Sequence, residues 1–539
     1  MRKLSECIKS LWGMSASLRW RLAVTVILGM VRIAASLGFV WASKHLVDIA
    51  TKVSNDSLGR GIALFIAVLV VQIACWIFIN WWNAYTSVKA QNHMREQLFS
   101  HVIRSRWAGR ERYLSGDIVN RLEDDIRISA SLLTDSFPTL IITAIQLIAA
   151  SVYLLTLAPG LLWVLVILML AAVVGSRLFF RQIRALMAKI RTLEAQVQQT
   201  MQESFQHRVL LLTLTGVERV LERFGHLQDD IEHHTRKRLN YNAYARGLMI
   251  FGFQAGHAAA FLWGIFGLAA GTVTYGMMTA FLQLVGQVQR PIAELGSLVP
   301  TFIRAITSIE RLMDLQDLEE EPMADAIALP GAPEIVVSNL TYSYPDLRRP
   351  VLKDFSCRFA SGSFNVIVGP TGVGKSTLIN LILGLLQPSE GQISVGGHPA
   401  GAALRSNYMY VPQGNSLLSG TILTNLQMAK PDASESEIKD ALTTAEADFV
   451  YGLPDGLDTV CGESGSGLSE GQAQRIAIAR ALLRPGGVLI LDESTSALDP
   501  ATEGRMLENI YRRHHGNKTI LFISHREAAI RFADSVVEI

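Results

Sequence analysis

The N-terminal part of the chain alternates between long apolar stretches and polar ones. Residues 22–43 contain a single charged side chain, and residues 61–83 contain none. At about 1.5 Å of helix per residue, each stretch is long enough to cross a hydrocarbon core of about 30 Å. Each of them therefore predicts one membrane-spanning helix.

Two further apolar stretches are long enough for two spans each. Residues 136–176 and 247–289 contain no Asp, Glu, Lys or Arg. The first is interrupted by Ala158-Pro159-Gly160 and the second by the polar segment 271–276, and turn-forming sequences of this kind indicate a hairpin between two spans. The complete pattern predicts six spans, at approximately 22–43, 61–83, 136–157, 161–180, 247–270 and 276–296.

The polar stretches differ in their content of basic residues. Eight Lys and Arg side chains lie between spans two and three and twelve lie between spans four and five, whereas the loops on the opposite side hold only Lys44, Lys52 and Arg60. Loops rich in Lys and Arg stay on the cytoplasmic side of a membrane. We therefore expect a multi-pass protein of the cell (inner) membrane with both termini in the cytoplasm.

The basic stretch after span four also has a helical period. Leu186, Ile190, Leu193, Val197 and Met201 recur at steps of three and four residues, with charged and amide side chains between them. This spacing is typical of an amphipathic helix. We expect spans two to five to continue as helices well into the cytoplasm.

The composition changes after residue 313. Residues 314–333 are rich in acidic side chains and proline, which predicts an exposed linker between a membrane domain at 1–313 and a second domain at 334–539. In the second domain, apolar runs alternate with helix-like segments, as in a mainly parallel sheet covered by helices. The expected strands are residues 334–337, 364–368, 408–411, 488–491 and 519–523.

One glycine-rich segment of the second domain carries a clear chemical signal. Its glycines allow backbone N–H groups to turn inward around phosphate, and the N-terminus of the following helix adds a favourable dipole. Lys375 is expected to reach the outer phosphates, and Ser376 to offer its hydroxyl to Mg²⁺. The segment matches the P-loop pattern G-x-x-x-x-G-K-S/T and consists of Gly369, Pro370, Thr371, Gly372, Val373, Gly374, Lys375, Ser376 and Thr377.

Two carboxylates directly follow a second expected strand. Asp492 and Glu493 come after residues 488–491, at the carboxyl edge where open α/β sheets bind their ligands. We expect Asp492 to hold Mg²⁺ and Glu493 to polarise the attacking water. His525 follows the strand 519–523 at the same edge, where it is placed to contact the γ-phosphate. Without the P-loop, each pattern would be an ordinary loop or structural residue.

Composition narrows the class of protein further. Half of the residues are hydrophobic, 18% are charged, and the mean hydropathy is +0.28, which argues against disorder and for a membrane. The net charge of +2 provides no bulk field for nucleic acid, so we expect no nucleic-acid partner. The four cysteines are far apart and form no CxxC pair, so neither a disulfide framework nor a zinc site is expected.

The order of the motifs resembles that of ATP-binding cassette (ABC) proteins. The segment Leu468-Ser469-Glu470-Gly471-Gln472 is similar to the LSGGQ signature of that family. Tyr344, Gln413 and Ser496-Ala-Leu-Asp499 look like its A-loop, Q-loop and D-loop. With six spans ahead of this cassette, the chain resembles an ABC exporter half-transporter over nearly its whole length.

The resemblance implies a fold, cofactors and a partner. It implies an all-α membrane domain with six helices, an α/β P-loop ATPase domain, and a functional dimer. ATP would be held between one P-loop and the signature of a second half-transporter, with Glu493 and His525 as catalytic residues. Tyr344 would stack on adenine, and Gln413 would join Ser376 and Asp492 at Mg²⁺. The sequence leaves a homodimer and a heterodimer equally open.

Two features depart from the family pattern. Glu470 replaces the first common glycine of the signature, and a carboxylate there favours a helix N-terminus but would repel phosphate if it faced inward. We expect it to face away. The chain stops at Ile539 on an expected strand, which leaves tail-dependent regulation in doubt, and too few residues precede the first span for a leader-cleaving peptidase domain.

The nature of the substrate is indicated only by polar residues within the spans. Arg32 lies in the middle of the first span, where a charge costs about 2.5 kcal/mol or more, so we expect it to face a substrate cavity together with His257. Gln146, Gln254 and Gln283 are candidate partners in that cavity, which would suit an anionic or amphipathic substrate. An equally acceptable interpretation is that Arg32 pairs with another span for packing or snorkels to the interface.

The function predicted from these features is ATP-driven export of a lipid, peptide or amphipathic small molecule by alternating access. A nucleotide-gated channel or sensor on the same fold is the alternative. An importer is less expected, because importer cassettes are usually chains separate from their permeases.

Overall fold

The computed structural model describes residues 2–106, 115–322, 324–344, 349–462, 467–524 and 526–539. Its contacts divide the chain into two compact units. The first unit comprises Met1–Ser100 with Ser115–Asp317, and the second comprises His101–Leu114 with Leu318–Ile539. Each unit has its own hydrophobic core.

The first unit is entirely helical in its described part. Six of its helices are long and apolar enough to cross a membrane, which confirms the prediction of six spans. The helices of this unit are α1 (Leu4–Met14), α2 (Arg19–Ala50), α3 (Leu58–Arg104), α4 (Gly116–Leu157), α5 (Pro159–Arg177), α6 (Phe180–Gln206), α7 (Arg208–Thr213), α8 (Val217–Ala269) and α9 (Tyr275–Gln316).

Local sequence explains where several of these helices begin. Ala158 has an extended backbone and separates α4 from α5, and Pro159 occupies the first position of α5, where its missing N–H costs nothing. The side chain of Thr274 accepts a hydrogen bond from the backbone N–H of Met277 and so caps α9. A short break at residues 178–179 separates α5 from α6, so the amphipathic helix predicted here exists but is a separate element.

Small residues allow α8 to pack closely against its neighbours. Gly252, Gly256, Ala260 and Gly264 are buried and recur every four residues, as in the small-xxx-small faces of membrane helices. A Cβ atom added at Gly252 would lie 2.5 Å from Cβ of Ala172 on α5. The helix backbones therefore approach more closely than larger side chains would allow.

The tightest of these contacts involves a polar side chain. A Cβ atom added at Gly256 would overlap Nε2 of Gln289 on α9. Gln289 is completely buried, and neither atom of its amide group has a hydrogen-bond partner within the described part of the chain. At the interface between α8 and α9, the amide group of Gln289 therefore packs against the backbone of Gly256 without a hydrogen-bond partner in the described part of the chain.

The second unit contains two larger sheets and a short strand pair. One sheet has the order β11-β3-β10-β9-β6 and is parallel throughout, and the other is antiparallel with the order β2-β1-β4-β5. The strands are β1 (Ile335–Tyr342), β2 (Leu352–Phe359), β3 (Phe364–Val368), β4 (Glu390–Val395), β5 (His398–Pro399), β6 (Tyr408–Val411), β7 (Gly420–Thr421), β8 (Val460–Cys461), β9 (Val488–Asp492), β10 (Thr519–Ile523) and β11 (Ser535–Glu538).

Helices cover the parallel sheet, so its central strands are buried on both faces. Every residue of β9 and of β10 is buried, which is why these strands are continuous apolar runs in the sequence. The expected strand at 334–337 exists as part of β1, but it pairs antiparallel with β2 and β4. The helices are α10 (Lys375–Ile382), α11 (Ile422–Gln427), α12 (Glu435–Thr444), α13 (Glu470–Leu483), α14 (Pro500–His514) and α15 (Glu527–Ile530).

The packing at α8 generates a stability prediction. We expect Gly256→Ala to lower the thermal unfolding temperature of the detergent-solubilised protein, because the new methyl group overlaps the side chain of Gln289 and overpacking typically costs about 1–3 kcal/mol. Gly247→Ala on the same helix is the matched control, since a Cβ atom there meets nothing within 4 Å. Equal unfolding temperatures for the two variants would contradict the close approach.

Candidate nucleotide-binding site

Three parallel strands bring the predicted phosphate and metal residues to one edge of the sheet. Strand β10 lies between β3 and β9, and Ile523 at its end is paired with Ile367 and with Asp492. The P-loop follows β3, and Glu493 follows β9. Strand pairing thus brings together residues that are far apart in the chain.

The P-loop has the backbone conformation that its glycines were expected to provide. Gly369, Gly372 and Gly374 have φ angles of 152°, 84° and 118°, all in the region that favours glycine. A Cβ atom at Gly374 would lie 2.8 Å from a methyl group of Val351, whereas one at Gly372 would meet nothing within 4 Å. Gly374 is therefore required by packing, while Gly372 borders open space that a phosphate could fill.

The side chain of Lys375 lies inside this loop. It is only 5% exposed, and its Nζ donates to the carbonyl oxygens of Gly369 at 2.7 Å and Pro370 at 3.2 Å. The same Nζ lies 3.8 Å from Oε1 of Glu493. The ammonium group therefore reaches the point where the P-loop and the end of β9 meet.

Asp492 is the most strongly desolvated carboxylate of this site. It is 2% exposed, and its Oδ1 lies 3.4 Å from the hydroxyl of Ser376. Burial raises the pKa of Asp492 from 3.8 to about 6, aided by the nearby Glu493 and opposed by Ser376 and Lys375. A carboxylate and a hydroxyl are ligands that suit Mg²⁺, and a cation would relieve the cost of burying this charge. The two side chains therefore fit the predicted metal site.

Glu493 has an unusual backbone conformation for a residue with a side chain. Its φ angle is 46°, a left-handed conformation that costs about 1–3 kcal/mol where it is not relieved. Its backbone N–H donates to the carbonyl of Ile523 at 3.2 Å, and its Oε2 accepts from Nε2 of Gln413 at 2.7 Å. The turn therefore aims the carboxylate at Gln413 and Lys375 and away from the strand.

Tyr344 is also brought to the P-loop helix. Its hydroxyl lies 3.2 Å from Oγ1 of Thr377, and its ring contacts Tyr342 edge-on at 5.0 Å. This places one expected nucleotide-binding residue beside another. Stacking of Tyr344 on adenine stays a prediction.

The signature segment forms the start of α13. Ser469 is its N-cap: the serine hydroxyl accepts from the backbone N–H of Gln472 at 3.2 Å, and the Gln472 side chain accepts from the backbone N–H of Ser469 at 2.9 Å. This capping box uses two of the free N–H groups at the helix start. The backbone N–H groups of Glu470 and Gly471, which lie between Ser469 and Gln472, have no acceptor within the described residues and can bind another one. Glu470 is exposed, and its orientation away from phosphate stays a prediction.

The signature is fixed to the D-loop by side chains that sequence reasoning missed. Gln474 is buried, donates to the hydroxyl of Ser496 at 3.2 Å and accepts from the backbone N–H of Ala497 at 3.2 Å. A Cβ atom at Gly471 would lie 3.0 Å from the Ala497 carbonyl oxygen. The absence of a side chain at Gly471 therefore allows close packing against the D-loop as well as access to the backbone N–H groups of the signature. The position of Gln474 one helical turn after Gly471 places both residues on one face of α13, and this spacing could have predicted that Gln474 contacts the same neighbour.

The D-loop is held from its other side as well. Asp499 caps α14 by accepting from the backbone N–H of Thr502 at 3.0 Å, and this bond lowers its pKa. Arg526 donates to the carbonyl oxygens of Ser496 at 2.7 Å and Leu498 at 2.8 Å. It also donates to the completely buried Glu503 at 2.8 Å. His525, expected at the γ-phosphate, lies outside the described residues.

Arg480 attaches the segment after Gln413 to the signature helix. Its guanidinium donates to the carbonyl of Ser416 at 3.0 Å and to the hydroxyl of the same residue at 2.9 Å. Burial lowers the pKa of Arg480. Two predicted motifs, the Q-loop and the signature, are thus linked through one side chain that no motif includes.

The polar residues expected in the spans have few hydrogen bonds in the described part of the chain. Arg32 is half-buried and has no hydrogen bond or ion pair there. The Nδ1 atom of His257 lies 3.1 Å from the carbonyl oxygen of Phe253, one turn earlier on α8. A shared substrate cavity for Arg32 and His257 therefore stays a prediction.

A P-loop on a parallel sheet and six helices apolar enough to span a membrane, in one chain, define a membrane protein with a nucleotide-binding domain. A family model described as ABC transporter transmembrane region matches residues 22–292, and one described as ABC transporter matches residues 352–496. The chain belongs to the ABC transporter family. The fold class and the resemblance drawn from the sequence are thereby confirmed.

Similar proteins cover most of the chain. An ATP-dependent lipid A-core flippase from Yersinia pestis bv. Antiqua is 27% identical over 547 residues, covering 99% of this chain and 93% of the relative. One from Chromobacterium violaceum is 28% identical over 467 residues, covering 85% and 80%. The structure of a bacterial Atm1-family ABC exporter with ATP bound matches with a TM-score of 0.78 at 25% identity, covering 97% and 94%.

The buried charge of Asp492 generates a prediction about pH. We expect Asp492→Asn to stabilise the nucleotide-free protein against unfolding at pH 8 by about 2–3 kcal/mol, because the pKa rises from 3.8 to about 6 and one unit corresponds to about 1.4 kcal/mol. An acid with a raised pKa loses stability as pH rises through 4 to 6, so the gain should be full above pH 6 and smaller at pH 5.

Thermal and denaturant unfolding at both pH values measures this gain. Asp432→Asn, at an exposed aspartate of the same unit, is the control and should change stability at neither pH. An Asp492→Asn gain that is absent at pH 8, or equally large at pH 5, would contradict the assignment of a desolvated carboxylate.

Proposed function

We propose that this chain is one half of a dimeric ABC exporter that uses ATP to move an amphipathic substrate out of the cytoplasmic membrane. The observation that carries the proposal is the meeting of Lys375, Asp492 and Glu493 at one sheet edge, with the Glu493 carboxylate 2.7 Å from Gln413 and 3.8 Å from Lys375. This set contains a phosphate-binding cation, a metal ligand and a base.

Each of these side chains has a separate task in ATP hydrolysis. Lys375 exchanges its hydrogen bonds to the P-loop carbonyls for bonds to the outer phosphates. Ser376 and Asp492, with Gln413, would hold Mg²⁺, which neutralises the charge that develops on the phosphates. Glu493 accepts a proton from the attacking water, and its hydrogen bond from Gln413 holds the carboxylate in position for this. His525 is proposed as the second catalytic residue.

Hydrolysis in this scheme requires a second chain. The free N–H groups of Glu470 and Gly471 at the start of α13 suit a phosphate, and the P-loop of the same chain already surrounds its own. We infer that the signature residues Leu468 to Gln472 contact ATP bound to the other half-transporter. Because Gln474 and Arg526 attach the D-loop to the signature and to β10, Ser496 and Asp499 would move with it.

The membrane unit supports export of an amphipathic substrate. The relatives named lipid A-core flippases and the Atm1-family exporter favour transport over the nucleotide-gated channel, and no observation on the described residues favours the channel. Arg32, a charge within the first span that has no partner there, suits an anionic group of the substrate. We assign residues 1–313 to transport, 334–539 to ATP hydrolysis, and both termini to the cytoplasm.

Replacing the base tests both the ATPase and the dimer. We expect Glu493→Gln to abolish ATP hydrolysis, since the amide cannot accept the proton, and to stop uphill, ATP-dependent movement of lipid A in proteoliposomes. Its oxygen can still accept from Gln413, so ATP should still bind and hold two chains together. Cross-linking and size measurements on saturation with ATP check the dimer.

Glu508→Gln is the matched control, because Glu508 is half-buried on α14 and pairs only with Arg512 in the described chain. It should hydrolyse ATP and transport at the rate of the unaltered protein. A Glu493→Gln protein that stays monomeric with ATP would contradict the dimer, and passive flux gated by bound ATP would identify a channel.

The role of Arg32 is tested separately from the ATPase. We expect Arg32→Ala to leave basal ATP hydrolysis unchanged and to raise by about tenfold or more the lipid A concentration that gives half-maximal stimulation, because a charge-assisted hydrogen bond contributes about 1.5–3 kcal/mol. Arg60→Ala, at an exposed arginine of α3, is the control. An equal effect of Arg32→Ala on basal and stimulated rates would contradict the cavity.

A further inference from the structure

The first unit contains an apolar cavity that has no role in the proposed transport cycle. Its volume is about 490 Å³, within the range of sites that bind small ligands. Its walls come from the short helix α1, the start of α2, the middle of α4 and the cytoplasmic extension of α9. Cys7, Leu11 and Ile309 form its buried floor.

The wall contributed by α4 has an irregular backbone. Residues Leu132–Ser136 form a π-helical turn, and Leu132 and Leu133 of this turn line the cavity. Pro138 follows the turn, cannot donate a backbone hydrogen bond, and also lines the cavity. Single π-helical turns within α-helices occur frequently at functional sites. Here the turn directs two leucines towards the cavity.

The rim of the cavity opens among exposed apolar side chains. Ile8 and Trp12 on α1 are each 46% exposed, and Phe137 and Ile141 on α4 are exposed by 38% and 36%. These side chains give the cavity an apolar mouth. In the proposed orientation this mouth would open to the hydrocarbon of the bilayer.

One charged residue lines the cavity. Arg19 lies 5.1 Å from the centroid of the Trp12 ring and donates to the Trp12 carbonyl at 3.1 Å. Within the described chain it has no carboxylate partner. Two acids at the C-terminal end of α9 are paired with another cation, since Arg2 lies 2.6 Å from Asp314 and 2.8 Å from the C-cap residue Asp317. Arg19 keeps donors available for an anion at the rim.

We propose that this cavity holds one acyl chain of an anionic phospholipid from the cytoplasmic leaflet, with the phosphate of that lipid bound by Arg19. The apolar walls suit the chain, the opening towards the bilayer admits it laterally, and the single cation at the rim complements the head group. The proposed orientation, with α1 at the cytoplasmic side, puts the site in the leaflet that carries anionic lipids. This lipid is a resident ligand, distinct from the substrate.

The head group, and not the acyl chain, decides which lipid occupies the site. A chain that leaves the bilayer for the cavity exchanges one apolar environment for another, so the transfer brings little hydrophobic gain. A basic residue near the membrane surface attracts an anionic lipid by an amount that corresponds to about a fivefold preference. Arg19 should therefore make the site select phosphatidylglycerol over phosphatidylcholine by about fivefold.

Photolabelling of the full-length protein in proteoliposomes tests the proposal. The probes are phosphatidylglycerol and phosphatidylcholine that carry a diazirine near the end of one acyl chain, with labelled peptides mapped by mass spectrometry. We expect labelling of α1 and of Leu132 to Ile141, about fivefold stronger with phosphatidylglycerol. Arg19→Gln should remove that preference, whereas Arg60→Gln should keep it.

A second pair of variants tests occupation of the cavity itself. Ala23→Phe places a ring in the cavity that Ala23 lines and should reduce labelling by about fivefold, whereas Ala67→Phe, at another exposed alanine of a span, should not. Labelling unchanged by Ala23→Phe, or equal for the two lipids in the unaltered protein, would overturn the proposal. So would displacement of the probe by lipid A, which would make the cavity a substrate site.

The experiment is independent of the transport cycle. In a Glu493→Gln background without nucleotide, labelling should be as strong as in the unaltered protein, because the site lies within the first unit. If ATP hydrolysis or transport were absent for other reasons, the lipid preference and its loss in Arg19→Gln would still support the site.

Discussion

The nucleotide site depends on keeping two opposite charges out of water at one edge of a parallel sheet. Lys375 and Asp492 are 5% and 2% exposed, and neither is neutralised by a close ion pair with the other. Burial raises the pKa of Asp492 to about 6, which marks a carboxylate that lacks sufficient compensation. A metal ion held by the aspartate would supply that compensation, so this buried charge favours binding of a cation.

The free-energy cost of burying charged and polar groups also explains how the elements around the site are arranged. Buried polar groups must be hydrogen-bonded if they are not to destabilise the fold, and here their partners come from different motifs. Gln474 connects α13 to the D-loop, and Arg526 connects the D-loop to the buried Glu503. A displacement of the D-loop would break several of these bonds together. In the proposed mechanism the signature, the D-loop and the end of β10 would therefore move together.

Sequence could predict the features that local pattern determines. Scarcity of charge predicts the six spans, and the largely apolar runs 364–368 and 488–491 predict the strands whose ends form the sheet edge. Contacts between distant residues could not be predicted in this way. The sequence around Gly256 does not predict its contact with Gln289, and the sequence around Arg526 does not predict its hydrogen bond to Glu503. Both pairs depend on which helices and strands become neighbours in the fold.

Glu470 illustrates how the signature combines two opposing electrostatic demands. As the first residue of α13 it interacts favourably with the positive end of the helix dipole, by about 0.3–1 kcal/mol at an exposed position. In the proposed dimer the same carboxylate would reduce the attraction of this helix end for the phosphate of a partner's ATP if it faced inward. The capping box between Ser469 and Gln472 secures the helix start independently, so the carboxylate is not needed for the helix to form. A carboxylate that faces away keeps the favourable interaction with the helix dipole and leaves the proposed anion site accessible.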